Sequence, residues 1–140
     1  MQHDFDLLKK MNDACGHCIA KHEGKVIGYA LSMLQAFKND MPLLIPMFNE
    51  IDHVLSGQNR RLNYIAMGQI CIDKSYRRMG VFRGLYLYMA KELSNEFHAI
   101  ITEVDSKNTR SSEAHRSIGF KVLSKYTSND QLWEVIILEI

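Results

Sequence analysis

Only 2 prolines, 3 cysteines and 8 glycines occur among the 140 residues. So little proline and glycine excludes a collagen-like, low-complexity or linker-rich chain. Three cysteines are too few, and odd in number, for a disulfide framework, so the expected compartment is a reducing cytoplasm. Apolar runs such as Val135-Ile136-Ile137-Leu138 fall far short of the roughly 18 residues that a membrane span needs. Residues 1–10 mix charged and apolar side chains, which predicts no secretory leader and no membrane partner. Neither sign of charge dominates: 17 basic against 16 acidic residues leave a net charge of +1. The electrostatic case for nucleic acid is correspondingly absent, apart from local pairs such as Arg60-Arg61 and Arg77-Arg78.

What remains is an ordinary globular composition, 46% hydrophobic and 24% charged, in a chain long enough for one cored domain. No repeat or boundary is visible, so residues 1–140 are expected to form a single domain. Phe5, Leu7, Leu8 and Met11 among charges predict a short amphipathic helix over residues 4–13. Two antiparallel strands, 19–21 and 26–31, flank a turn whose left-handed position falls to Gly24. Residues 37–62 are irregular, broken by Pro42 and Pro46, with Pro46 suited to the first turn of a helix through Leu55 that Gly57, Gln58 and Asn59 then end. A strand over 63–73 contains Gly68, which signals a bulge or a close approach. Val81, Leu85, Met89 and Leu93 give a helix of about 15 residues. A strand at 100–104, a helix at 108–118 stopped by Gly119, and strands at 121–126 and 132–140 complete the order. The expected class is a mixed α/β layer with a strand–helix–strand crossover at its centre.

The chemistry concentrates in Ile70-Cys71-Ile72-Asp73-Lys74-Ser75-Tyr76-Arg77-Arg78-Met79-Gly80-Val81-Phe82-Arg83. A strand ends here and a helix begins near Gly80. The first amides of a helix have no partners within it, and its dipole adds positive potential at the same end. Such a start accepts an anion, and Gly80 lets a phosphate approach the backbone. The plainer alternative is a solvated basic turn. Neither a Gly-Lys-Ser/Thr nucleotide loop nor a G-x-G-x-x-G fingerprint is present.

Arg77-Arg78-Met79-Gly80-Val81-Phe82 resembles the Gln/Arg-x-x-Gly-x-Gly/Ala loop of the GCN5-related N-acetyltransferases. Ile70-Cys71-Ile72 before it, Glu103-Val104 followed by Asn108, and Gly119-Phe120 are similar to further family motifs in the same order. Across residues 16–140 the resemblance implies an acyl-CoA N-acyltransferase fold. Its mixed, mostly antiparallel sheet would hold a splayed parallel strand pair, and the usual first strand would be missing. It implies acetyl-CoA as cosubstrate, no metal, and direct attack by a primary amine of a small molecule or peptide. The backbone of Ile70, Cys71 and Ile72 would hold the pantetheine arm. The amides of Arg78, Met79, Gly80, Val81, Phe82 and Arg83 would hold the diphosphate, Asn108 would hydrogen-bond the pantetheine, and Ser111 would belong to the same cofactor site. Glu103 stands at the family's general-base position, and His115 where a tyrosine commonly protonates the leaving thiolate. Phe82 departs from the pattern, occupying a place usually given to Gly or Ala. If turnover is lost, the same fold would serve as an acyl-CoA-binding or regulatory module.

Cys15-Gly16-His17-Cys18 spells a redox or zinc motif, but it follows a helix instead of starting one, so two ordinary thiols are expected. Met33, Met41, Met47 and Met67 suit core filling. The acidic residues of 37–62 would flank the acceptor, or simply form a solvated face. A missing first strand would leave residues 16–21 as an exposed edge that invites a homodimer.

Overall fold

The computed structural model describes residues 5–140. Among the described residues are four helices and six strands. Helix α1 is Phe5–Ala14, and strands β1 (Cys18–His22) and β2 (Lys25–Leu34) follow it. Two 3-10 turns, Gln35–Asp40 and Pro42–Leu44, lead into α2 (Ile45–Gly57). Next come β3 (Tyr64–Ile72), α3 (Val81–Leu93), β4 (Ala99–Asp105) and α4 (Thr109–Ile118). The hairpin of β5 (Lys121–Ser128) and β6 (Gln131–Glu139) completes the sheet. The strands lie in the order β1-β2-β3-β4-β6-β5, with β3 and β4 parallel and every other neighbouring pair antiparallel. This is the mixed α/β class expected from the sequence.

Local chemistry explains most boundaries. Glu23 and Gly24, at φ 51° and 78°, supply both left-handed positions of the β1–β2 turn. Asn129 and Asp130, at φ 51° and 60°, do the same between β5 and β6, so the turn is tighter than the gap between the expected strands 121–126 and 132–140. Pro46 sits in the first turn of α2, where its missing N–H costs nothing. Strand β2 outruns its predicted end at residue 31 because Ser32, Met33 and Leu34 pair with Met67, Ala66 and Ile65. That partner lies too far along the chain for local pattern to reveal.

Each face of the sheet carries its own core. On one, Met11 of α1 and Met47, Phe48 and Ile51 of α2 cover Met33, Ala66, Ile101 and Val135. On the other, Leu85, Tyr86 and Met89 of α3 cover Ala30, Ile65, Met67, Ile100 and Ile136.

Gly68 interrupts this pattern. Leu31 pairs with Gln69 and Ser32 with Met67, so Gly68 is the extra, unpaired residue of a bulge in β3. One inserted residue reverses which face every later side chain meets. Ile65 and Met67 point to α3 before the bulge; after it Ile70 and Ile72 do so. Without the bulge, Gln69 and Cys71 would enter that core. The parallel β3–β4 ladder stops at the same level, its last pair being Ala66 and Ile101. There the buried Thr102 hydroxyl donates to the Met67 carbonyl at 2.7 Å. Beyond that bond β3 and β4 part.

A β-carbon at Gly68 would lie 2.2 Å from the Met33 sulfur and 3.2 Å from its γ-carbon, and Met33 is only 1% exposed. Gly68→Ala should therefore destabilise the protein by about 1–3 kcal/mol. Urea denaturation checks this, and an unchanged midpoint would contradict the close packing at the bulge.

Candidate functional site

Where β3 and β4 part, a groove of about 540 Å³ opens between the start of α3 and the start of α4. Its walls include the end of β3 (Ile70, Cys71, Ile72), the loop before α3 and the first turn of α4. The loop is built to expose its backbone. Asp73 accepts from the Ser75 amide at 2.9 Å and starts a short 3-10 turn, Lys74–Tyr76. Arg78 (φ 65°) and Gly80 (φ 79°) then take left-handed conformations. For Arg78 this conformation costs on the order of 1 kcal/mol, and such strain concentrates where a backbone is shaped for a ligand.

Gly80 is the N-cap of α3 and offers no side-chain cap. The first helical bond runs from the Gly84 amide to the Gly80 carbonyl at 2.9 Å. The amides of Val81, Phe82 and Arg83 therefore have no acceptor inside the helix, and they open beside the groove with the helix dipole behind them. Arg77, Arg78, Arg83 and Arg110 also line it. Arg83 is partly committed, donating to the Ser117 carbonyl at 3.2 Å and tying α3 to α4. Met79 is 67% exposed and is not part of the lining. Three free amides and four arginine side chains around one hollow, with apolar Ile70, Ile72 and Val81 beyond them, match a ligand that is anionic at one end and apolar along its length.

Asn108 caps α4, its side-chain oxygen accepting from the Ser111 amide at 3.1 Å. Both residues line the groove. Tyr76, Arg110 and Ala114 line it too, and sequence reasoning had not singled them out. Arg110 follows directly from the first turn of a capped helix facing an anion site; Tyr76 carried no local signal.

Phe82 turns inward. Its ring packs edge-on against Tyr86 at 5.2 Å and His115 at 5.0 Å, and Phe120 completes the cluster. His115 is 2% exposed and lies behind the groove wall instead of lining it. Its Nε2 is 2.7 Å from the Tyr86 hydroxyl, and its Nδ1 is 2.7 Å from the Ser111 carbonyl. With Nδ1–H donating to that carbonyl, Nε2 accepts from Tyr86, and the ring is neutral. Burial pushes its pKa below the ordinary histidine value, against a smaller upward pull from the Ser111 carbonyl. The Ser111 hydroxyl, 3.4 Å from Nδ1, is the link between this ring and the groove.

Glu103 lies across the sheet. It follows Ile101 on the face covered by α1 and α2, and it does not line the groove. The carboxylate is half-buried and accepts a hydrogen bond from the Tyr126 hydroxyl of β5. Burial raises its pKa, and the Tyr126 bond partly offsets the rise. The groove and Glu103 thus sit on opposite sides of the opening between β3 and β4.

Cys15 and Cys18 are buried free thiols, and burial pushes both pKa values up. That is the reverse of an activated Cys-x-x-Cys pair. Among the described residues no group of three or more His, Cys, Asp or Glu side chains could hold a metal ion. Nor is any described helix long and apolar enough to cross a membrane.

A sequence profile described as the acetyltransferase (GNAT) family matches residues 1–120. No curated protein matches the chain significantly. Among solved structures, the ribosomal-protein-S18-alanine N-acetyltransferase from Escherichia coli is similar at 18% identity and a TM-score of 0.58. That match takes in 86% of this chain, which spans 65% of the length of the E. coli protein. The structure of yncA from Salmonella typhimurium with its cofactor acetyl-CoA aligns at 16% identity and TM-score 0.67, over 99% of this chain and 75% of that one. Ard1 from Thermoplasma volcanium aligns at 13% identity and TM-score 0.65, over 100% and 82%. At such identities these three likenesses carry the fold alone.

The neutral, buried His115 has a consequence for stability. Its folded-state pKa is depressed, so below the ordinary histidine value of about 6.5 the unfolded chain binds more protons than the folded one. Stability should fall as pH drops from 7 towards 5. His115→Gln should flatten that part of the slope while lowering the urea midpoint at pH 7. An identical slope in the variant would contradict the burial of a neutral ring.

Proposed function

Because this chain belongs to the acetyltransferase (GNAT) family, we propose that it transfers the acetyl group of acetyl-CoA to a primary amine of a small molecule or peptide. The observation that carries this reading is the set of unpaired amides at the start of α3, opening on a groove that ends at the parting of β3 and β4. Bound acetyl-CoA would supply an activated acyl group. The chain's own residues would hold it. The amides of residues 78–83, with the Arg77, Arg78 and Arg110 guanidinium groups, suit the diphosphate. The backbone of Ile70, Cys71 and Ile72, no longer paired with β4, suits the pantetheine amides. Asn108 has its side-chain nitrogen to offer, its oxygen being spent on the cap.

In this reading the acceptor amine approaches from the opposite face, and Glu103 takes its proton, directly or through water. A carboxyl raised by burial is closer to the pKa that such a base needs at neutral pH. For His115 to protonate the departing sulfur it must act through the Ser111 hydroxyl. The alternative is to give up Tyr86 and turn outward against the edge-on rings of Phe82 and Phe120.

That engaged ring favours a second reading, an acyl-CoA-binding or regulatory module with little turnover. One experiment separates the two. Acetyl-CoA should raise the melting midpoint, and thiol release should appear with spermidine, kanamycin, lysine or a peptide bearing a free N-terminal alanine. Glu103→Gln should then lower the release rate roughly 100-fold while the acetyl-CoA thermal shift persists. A thermal shift without release from any of these amines would favour the module. No thermal shift at all would sink both.

The reading extends to a cytoplasmic homodimer. All three cysteines are free, as a reducing compartment requires, and β1 is an outer strand with one unpaired edge. Sedimentation should give twice the chain mass; a monomer at high concentration would remove the dimer from the proposal.

A further inference from the structure

On the face away from the groove, β5 places two hydroxyls against carboxylates of neighbouring elements, forming two hydrogen-bonded pairs. Tyr126 donates its hydroxyl hydrogen to the Glu103 carboxylate. Two residues earlier on the same strand, the Ser124 hydroxyl donates to Glu50 of α2 at 3.2 Å. Strand pairing builds the arrangement. Tyr126 stands opposite Trp133 of β6, and Trp133 opposite Asp105 of β4, so Tyr126 reaches past β6 to the strand that carries Glu103. The β6 residue directly opposite Glu103 is Val135, which is apolar and buried. Glu103 therefore finds its hydrogen-bond donor one strand further out. Among the described residues, no lysine, arginine or histidine forms an ion pair with Glu103 or Glu50.

We propose that Tyr126 is the positioning residue for Glu103, holding one carboxylate oxygen so that the other faces the opening between β3 and β4. This rests on the base role given to Glu103 above. A free glutamate on a strand samples several rotamers, and a hydroxyl fixed by its own ring packing removes that freedom. The bond also favours the charged carboxylate, so it offsets part of what burial does. The groups that bear on this titration come from three elements. Tyr126 from β5 donates directly, and Glu50 from α2 lies close enough to push the tyrosine's own pKa further up. Asp105 is two residues along β4, while the β6 residues nearest Glu103 on this face, Trp133, Val135 and Ile137, carry no charge. With burial and the neighbouring carboxylates keeping Tyr126 protonated, its hydroxyl remains a donor throughout the working pH range.

The test uses the whole protein with labelled glutamate and tyrosine. The δ-carbon resonance of Glu103, identified by its loss in Glu103→Gln, is followed against pH in the wild type and in Tyr126→Phe. Loss of the donor should raise the Glu103 midpoint by roughly one pH unit. The acidic limb of the thiol-release profile should move up by the same amount, with the acetyl-CoA KM unchanged because Tyr126 is remote from the groove. A lower melting temperature with an unmoved Glu103 midpoint would show a merely structural tyrosine and overturn the proposal. So would a moved midpoint with an unmoved acidic limb. If Tyr126→Phe does not fold, the wild type decides: the Tyr126 ζ-carbon should follow the Glu103 midpoint, and independence of the two overturns the link. Failure of the wild type to bind acetyl-CoA overturns the functional reading alone, since the carboxyl titration still reports whether Tyr126 governs Glu103.

Discussion

One unpaired residue in the central strand organises the rest. At Gly68 the backbone of β3 takes an extra step that β2 does not match, and the Met33 sulfur occupies the space a side chain would need. The strand bends, its parallel ladder with β4 ends after Ala66 and Ile101, and the alternation of faces reverses. Each effect follows from the same geometry: a bulge adds one residue to a pattern of period two. The buried Thr102 hydroxyl covers the Met67 carbonyl just past the last pair. The opening therefore begins with its polar backbone satisfied and has no need to collapse.

Around that opening the two faces of the sheet present opposite chemistries. On the α3 and α4 side, left-handed Arg78 and Gly80, helix-start amides and several arginines make an anion-attracting end, followed by an apolar stretch. On the α1 and α2 side, Glu103, Glu50 and the hydroxyls of Ser124 and Tyr126 make a carboxylate-rich wall. In the proposed reaction, acetyl-CoA threaded from the first side would meet the acceptor amine from the second across the gap. Separating them by a sheet keeps the arginines of the groove from neutralising Glu103, which a shared pocket would do. The aromatic cluster of Phe82, Tyr86, His115 and Phe120 is the rigid backing between α3 and α4. It seats the ring of the phenylalanine that interrupts the small-residue pattern of the loop, while Phe82 still contributes to the groove wall.

Helical spacing at Val81, Leu85 and Met89, turn residues at Gly24 and Gly119, Pro46 in a first turn, and Gly68 as a bulge were all readable from the chain. Each of these is decided within a few residues by covalent geometry or by one face of a periodic element. The basic loop before α3 was readable for the same reason, since a strand end followed by Gly and a helix start is a local object. Tyr76, within the 70–83 segment, and Ala114, outside it, have no property of their own that marks them as groove residues; they line it because of where two helices end up.

The sequence by itself determined the elements, their order and the anion-receptive helix start, because backbone preference and hydrophobic period act over short distances. The tertiary structure alone decided which side of the sheet each reactive group occupies. Whether Glu103 shares a wall with the arginines depends on strand parity, and whether His115 is exposed depends on rings supplied by α3 and by Phe120. Those are contacts between residues far apart in the chain, such as Phe82 and His115, 33 positions apart. Packing, unlike periodicity, is settled only when the chain has closed on itself.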